Sequence, residues 1–187
     1  MTDRQATMKL RLATPADMPG IMQLEETGFL PGIREEEAVF RDRLTTFPAG
    51  FLVGEDADGG LLAYLSSELW PGGDSLDDYD FSIGHSARER HRDDGQVLYI
   101  SSMTISPQAR GSGLGRQLFE EGVAAIDRAC PTVREHLLIV NETWIHAKRI
   151  YDSAGFREVR RMPGFFDPLG LPAQAAIVMT RARPAQP

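Results

Sequence analysis

Leu98-Tyr99-Ile100-Ser101-Ser102-Met103-Thr104-Ile105-Ser106-Pro107-Gln108-Ala109-Arg110-Gly111-Ser112-Gly113-Leu114-Gly115 is the stretch on which the reading of this chain turns. Residues 97–105 have strand character. A proline bend follows, then three glycines at alternate positions. Residues 113–129 then carry Leu114, Leu118, Val123, Ala124 and Ile126 at helical spacing. A strand, a glycine turn and a helix start together make an anion site: side chains are absent, N–H groups converge and the helix dipole turns its positive end to the guest. Glycines there cost a helix about 1 kcal/mol each relative to alanine, which favours a ligand over an ordinary turn, and a pyrophosphate suits the site.

The spacing narrows the choice of phosphate ligand. No Gly-Lys-Ser/Thr closes the turn, so a Walker A loop is excluded. A dinucleotide fingerprint needs G-x-G-x-x-G close behind its strand. Here the pattern is G-x-G-x-G after several intervening residues, and Glu142 lies too far on for a ribose-binding carboxylate. A nucleotide-dependent oxidoreductase is the runner-up.

Outward from this segment, residues 9–13 read as a strand and Thr14 as a cap for Pro15-Ala16-Asp17. A helix to Gly28 follows, with Met18, Ile21, Met22 and Leu24 on one stripe, then a Leu30-Pro31-Gly32 turn and a helix over 35–44. Residues 51–55 and 61–69 are predicted strands joined through Asp56-Ala57-Asp58-Gly59-Gly60. Residues 71–96 are polar and aperiodic, the pattern of a functional loop or a partly disordered one. Strands are predicted at 136–140, 156–160 and 175–180, with a helix over 144–153. The order predicts an α+β fold, a central mixed sheet flanked by helices, in one domain over 1–187 with its core at about 8–182.

The 187 residues are 42% hydrophobic and 25% charged, with a net charge of −7 and a pI near 5.1. Such acidity argues against a nucleic-acid partner and suits a cationic substrate. No apolar run approaches the ~20 residues of a bilayer span, and Met1-Thr2-Asp3-Arg4-Gln5 lacks a signal-peptide core, so no membrane partner and a cytoplasmic location are expected. Cys130, the one cysteine, precedes Pro131 at a helix end and reads as a buried or incidental thiol. His85 and His91 have no metal-ligand spacing, and no metal is predicted. A monomer or homodimer is expected.

These motifs resemble the GNAT superfamily, whose pattern R/Q-x-x-G-x-G/A opening a helix is matched from Arg110 to Gly115 and also, in another register, from Gln108 to Gly113. The distance from the strand favours the first. A second feature, a helix ending in Tyr followed by Gly-Phe, is present as Tyr151, Gly155 and Phe156. The layout is also similar to the arylalkylamine N-acetyltransferases, in residues 51–70 and the excursion before the central strand. Tyr99 and Ser101 stand where that group carries two histidines.

The resemblance implies an N-acetyltransferase that passes acetyl from acetyl-CoA to a primary amine, on a small molecule or a protein, by direct attack. A non-catalytic acyl-CoA sensor on the same fold is the alternative. The cofactor-binding residues it implies are Met103, Thr104 and Ile105 through main chain, with Arg110, Gly111, Ser112, Gly113, Leu114 and Gly115 around the diphosphate. Arg116 and Lys148 or Arg149 are candidates for the phosphates. Trp144 stands where the family often has an asparagine, and Asn141 is the candidate to supply that polar group instead. Tyr151 is the implied general acid. By their two-residue spacing Tyr99 and Ser101 are expected to share one strand face and are candidates to hold a proton-accepting water. Glu26 and Glu68 are carboxylate candidates at the acceptor cleft. Phe29, Leu30, Trp70 and Phe165 are expected to wall it, with Asp74, Asp77, Asp78 and Asp80 drawing in a cation.

Overall fold

A computed structural model describes residues 8–73 and 76–184. Of the expected acidic stretch, Asp74 lies outside them. The elements in chain order are β1 (Lys9–Leu12), α1 (Met18–Gly28), α2 (Glu37–Thr46), β2 (Phe51–Glu55), β3 (Leu61–Trp70), α3 (Ala87–Arg90), β4 (Val97–Ile105), α4 (Leu114–Ala129), β5 (Glu135–Asn141), α5 (Ile145–Ser153), β6 (Arg157–Phe166) and β7 (Gln174–Ala182). They build a seven-stranded sheet in the order β1-β2-β3-β4-β5-β7-β6. The β4–β5 pair is parallel and every other pair antiparallel, so the sheet is mixed as the element order predicts.

Helices cover both faces, and β3 shows why its sequence carries no polar alternation. Ala63 and Leu65 pack into the cluster holding Leu114, Leu118 and Phe119 of α4 and Tyr151 of α5. Tyr64 points the other way, against Ile21 and Leu24 of α1 and Phe40 of α2. A strand sandwiched on both sides has no solvent face to mark with polar residues.

Two features of β4 position the site. Against β3, Ser66 pairs with Ser102 but Ser67 pairs with Ile100, which leaves Ser101 as the extra residue of a bulge. Against β5, pairing runs only from Val97–Glu135 to Ile100–Leu138. Beyond that point the two parallel strands diverge, and a gap opens in the middle of the sheet.

Three boundaries differ from the sequence reading. The second helix spans 37–46, because its cap residue Glu36 is extended and Glu35 is drawn into a buried ion pair. The strand expected over 156–160 runs on to Phe166, with pairing irregularities that absorb Pro163 and Gly164. The described residues after 76 are not a structureless loop: a 3-10 turn over Tyr79–Phe81 buries Phe81, and α3 buries Ala87.

Candidate active site

The glycines after β4 serve two different needs. Gly111 and Gly113 have φ of +80° and +87°, and a methyl group on either would meet nothing within 4 Å. Backbone conformation, not space, demands glycine there. Gly115 has ordinary φ, but a Cβ would come within 3.3 Å of Ile150 Cδ1, so it lets α4 approach α5. Gly113 caps α4, and the first backbone bond of the helix runs from Gln117 N–H to the Gly113 carbonyl at 3.1 Å. The preceding amides stand at the exposed end of a sixteen-residue helix, the arrangement that favours a phosphate.

A cavity of about 110 Å³ lies at the divergence of β4 and β5. Ile100, Ser101, Ser102 and Met103 line it from β4, and Leu138, Ile139 and Val140 from β5. Tyr151 of α5 also lines it. The Tyr151 ring packs edge-on against Phe119, centroids 5.2 Å apart, and burial pushes its hydroxyl above the ordinary phenol range. It is therefore a neutral O–H donor throughout the physiological pH range.

The opposite wall holds a connected set of charged groups. Glu25 of α1 is 2% exposed, and its side chain lines the cavity. It accepts the Glu35 N–H at 2.8 Å and the Tyr64 hydroxyl hydrogen, while Tyr64 lies 3.0 Å from Ser102 Oγ. Since Tyr64 donates to Glu25, Ser102 donates to Tyr64. Burial pushes the Glu25 carboxyl up to about 7, and its two hydrogen bonds only partly offset that loss of hydration.

Arg43, 1% exposed, meets both oxygens of Glu35 through Nη1 and Nη2, with Nε 3.4 Å from Glu68 Oε1. His85 places Nε2 at 2.8 Å from Glu68 and Nδ1 at 2.9 Å from the Ser82 carbonyl. Both neighbours are acceptors, so both ring nitrogens carry protons. Burial works against charge on His85 and on Glu68, but their hydrogen bond and mutual attraction win, raising the imidazole pKa and lowering that of the carboxyl.

Residues 80–167, just under half of the chain, match the family model described as an acetyltransferase (GNAT) domain. That stretch is similar to a GNAT acetyltransferase domain. No curated protein matches it by sequence. Among solved structures, it is similar to the loading GNATL domain of CurA from Lyngbya majuscula at a TM-score of 0.78 and 13% identity, covering 94% of this chain and 98% of that one. It is similar to the GphF GNAT-like decarboxylase in complex with isobutyryl-CoA at 0.73 and 16%, covering 93% and 98%. The ribosomal-protein-S18-alanine N-acetyltransferase from Escherichia coli gives 0.69 and 15%, covering 94% of each chain. The mixed seven-stranded sheet with its helices is the GNAT acyltransferase fold.

The fold brings together some of the residues singled out from sequence and separates others. Tyr99, Ser101, Met103, Phe29 and Tyr151 line the cavity. Tyr99 does so as an aromatic wall, stacked on Trp70 at 4.1 Å between centroids. Ser101 sits on the bulge, 3.0 Å from Ser66 Oγ, so strand alternation does not place it beside Tyr99 as expected. Thr104 is buried and packs at Gly28, while Ile105 joins the core beneath α4. Arg110, Gly111, Ser112, Gly113 and Arg116 are exposed around the turn, and Leu114 is core.

The other residues singled out from sequence stand apart from the cavity lining. Glu26 is exposed and turned away; its neighbour Glu25 takes the place expected of it, because Glu25 falls on the buried stripe of α1. Glu68 and Trp70 are fully buried beneath the cavity and hydrogen-bonded to each other at 2.9 Å. Leu30 is 45% exposed and Phe166, not Phe165, lines the cavity, since β6 continues through both. Asn141 is wholly buried, bonded to Gln174 and Thr143, and Lys148 pairs with Asp152 at 2.9 Å. Asp77 and Asp80 bond within their own loop, and Asp80 pairs with Arg90.

The sequence reading missed Glu25, Glu35, Arg43 and His85. A signal existed for two of them: Glu25 lies seven residues after Met18 and four after Ile21, and Arg43 three after Phe40, so both are charges on apolar helix stripes. Among the described residues no helix is long and apolar enough to cross a membrane, and no cluster of His, Cys, Asp and Glu could hold a metal ion.

Proposed function

We propose that the chain transfers acetyl from acetyl-CoA to a primary amine by direct attack within the β4–β5 cavity. One observation carries the reading: a proton acceptor poised near neutrality, Glu25, and a neutral hydroxyl donor, Tyr151, line one cavity on the strand that leads into the glycine turn. The amides from Gly111 to Arg116 suit the coenzyme diphosphate, and the β4 edge released beyond Ile100 is free to pair with the pantetheine arm and to offer an N–H to the oxyanion.

An alkylammonium has a pKa of ~10.4, so its proton must leave before attack. The Ser102–Tyr64–Glu25 chain supplies a route: Ser102 Oγ accepts the amine proton, passes its own to Tyr64, and Tyr64 passes its own to Glu25. Raising the Glu25 carboxyl from 4.5 to about 7 takes about 3 kcal/mol off that uphill transfer. The free amine then attacks the thioester carbon, the tetrahedral adduct collapses, and the departing thiolate receives a hydrogen bond from Tyr151. Because the phenol is a weaker acid than the thiol, hydrogen bonding to the developing sulfur charge comes before proton delivery.

A cationic acceptor suits the cavity, where Arg43 and His85 are matched by Glu35 and Glu68 and Glu25 is left to balance an ammonium. The test is thiol release from acetyl-CoA across a panel of primary amines, including aryl-alkylamines, polyamines and peptides. Acetylation of at least one class supports the transferase. Tight acetyl-CoA binding with no transfer to any of them identifies a sensor instead.

A further inference from the structure

We infer that the Glu35–Arg43 pair is an internal specificity filter that makes the acceptor site refuse amines bearing a carboxylate. The inference rests on reading the cavity as the acceptor site. An arginine in a binding cavity is ordinarily the group that forks onto a ligand carboxylate. Arg43 lines this cavity, yet its Nη1–Nη2 edge already grips both oxygens of Glu35, and its Nε edge faces Glu68. Glu35 is itself held in place, since its Oε1 also accepts the Gly84 N–H at 3.1 Å.

The second cation lining the cavity, His85, spends both ring N–H groups on Glu68 and the Ser82 carbonyl. Two cations and two carboxylates cancel, and Glu25 adds negative charge as it ionises. An incoming ammonium is welcomed by that balance. A carboxylate on the same molecule meets Glu35 and Glu25, while the forked Nη pair of Arg43 is already taken and its one unbonded N–H, at Nε, is turned to Glu68 at 3.4 Å. Glu35 thus mimics from within the anionic ligand that the arginine would otherwise select, and α2 begins just beyond it at Glu37, so the filter is fixed by the fold.

The experiment compares phenethylamine with phenylalanine, which share a body and an ammonium and differ in the carboxylate. Binding to the full chain saturated with CoA is measured by calorimetry at pH 7, without turnover. The native protein is expected to bind phenethylamine at least ~30-fold more tightly, the scale of one unpaired charge in a confined site. In Glu35→Gln, which releases the Arg43 edge, the ratio is expected to fall at least tenfold, with phenylalanine gaining affinity. Glu35→Asp, which keeps the charge but is too short to span both nitrogens, is expected to fall between.

Equal or tighter binding of phenylalanine by the native protein overturns the inference, as does binding of neither compound. An unchanged ratio in a folded Glu35 variant overturns it too. If both variants fail to fold, the native ratio alone decides. Acetyl transfer across the amine panel is assayed separately, so a protein that discriminates but acetylates none of the panel rejects the transferase reading and leaves the filter standing.

Discussion

Glu25 is a carboxylate in an apolar stripe, and its hydrogen bonds from Tyr64 and the Glu35 amide replace only part of the water it has lost. Two consequences follow from that one fact. In catalysis, the rate of amine acetylation climbs as pH passes about 7 and Glu25 ionises. Glu25→Gln is expected to lower kcat by about 100-fold or more and to remove that inflection, as read by steady-state thiol release. In stability the sign is opposite. The folded-state pKa lies above the unfolded value of 4.5, so the carboxyl stabilises the fold fully below pH 4.5, and the benefit is lost as pH rises through 7. Urea denaturation should show Glu25→Gln more stable than the native chain by up to about 3 kcal/mol at pH 8, and no gain at pH 4. Tyr151→Phe, which loses only a hydroxyl while keeping the ring on Phe119, is expected to lower kcat by about 100-fold with acetyl-CoA affinity retained.

The elements differ in how openly their sequence declares them. The strand, glycine turn and helix over 97–129 were legible because the chemistry is local: φ near +80° at Gly111 and Gly113 can be met by glycine and little else. Gly113→Ala is expected to cost about 1–2 kcal/mol in urea denaturation from backbone strain, and to weaken acetyl-CoA binding in the same sample by turning amides off line. Both alternations, helical and extended, held where one face was buried. They failed at β6, where Pro163 and Gly164 read as a loop but lie within a strand whose pairing is interrupted around them. They failed at Ser101 too, because a bulge leaves no mark in composition. Residues 71–96 were opaque for a different reason. What orders them is tertiary: His85 on Glu68, Phe81 against Trp70 at 5.6 Å, and Arg160 to the Leu76 carbonyl at 2.7 Å. Partners so far apart in sequence cannot be paired from the sequence alone.

At the scale of the whole molecule, the net charge of −7 and the divergent central strands act on different substrates. The acidic surface draws in a cationic amine, so raising ionic strength should lower kcat/KM for the amine several-fold. Acetyl-CoA, which we propose is held by amides and a helix end, should stabilise the fold by about 2.7 kcal/mol at ~100 times its Kd, read as a rise in Tm. The central proposal is that Glu25 receives, through Tyr64 and Ser102, the proton of an amine that attacks in this cavity. The pH dependence of kcat/KM for acetyl transfer to phenethylamine, measured side by side for the native chain and Glu25→Gln, tests it most directly. The account predicts a native rate that rises through an inflection near 7 and a variant that is slow and lacks it. A variant as fast as the native chain, with the same inflection, would contradict it.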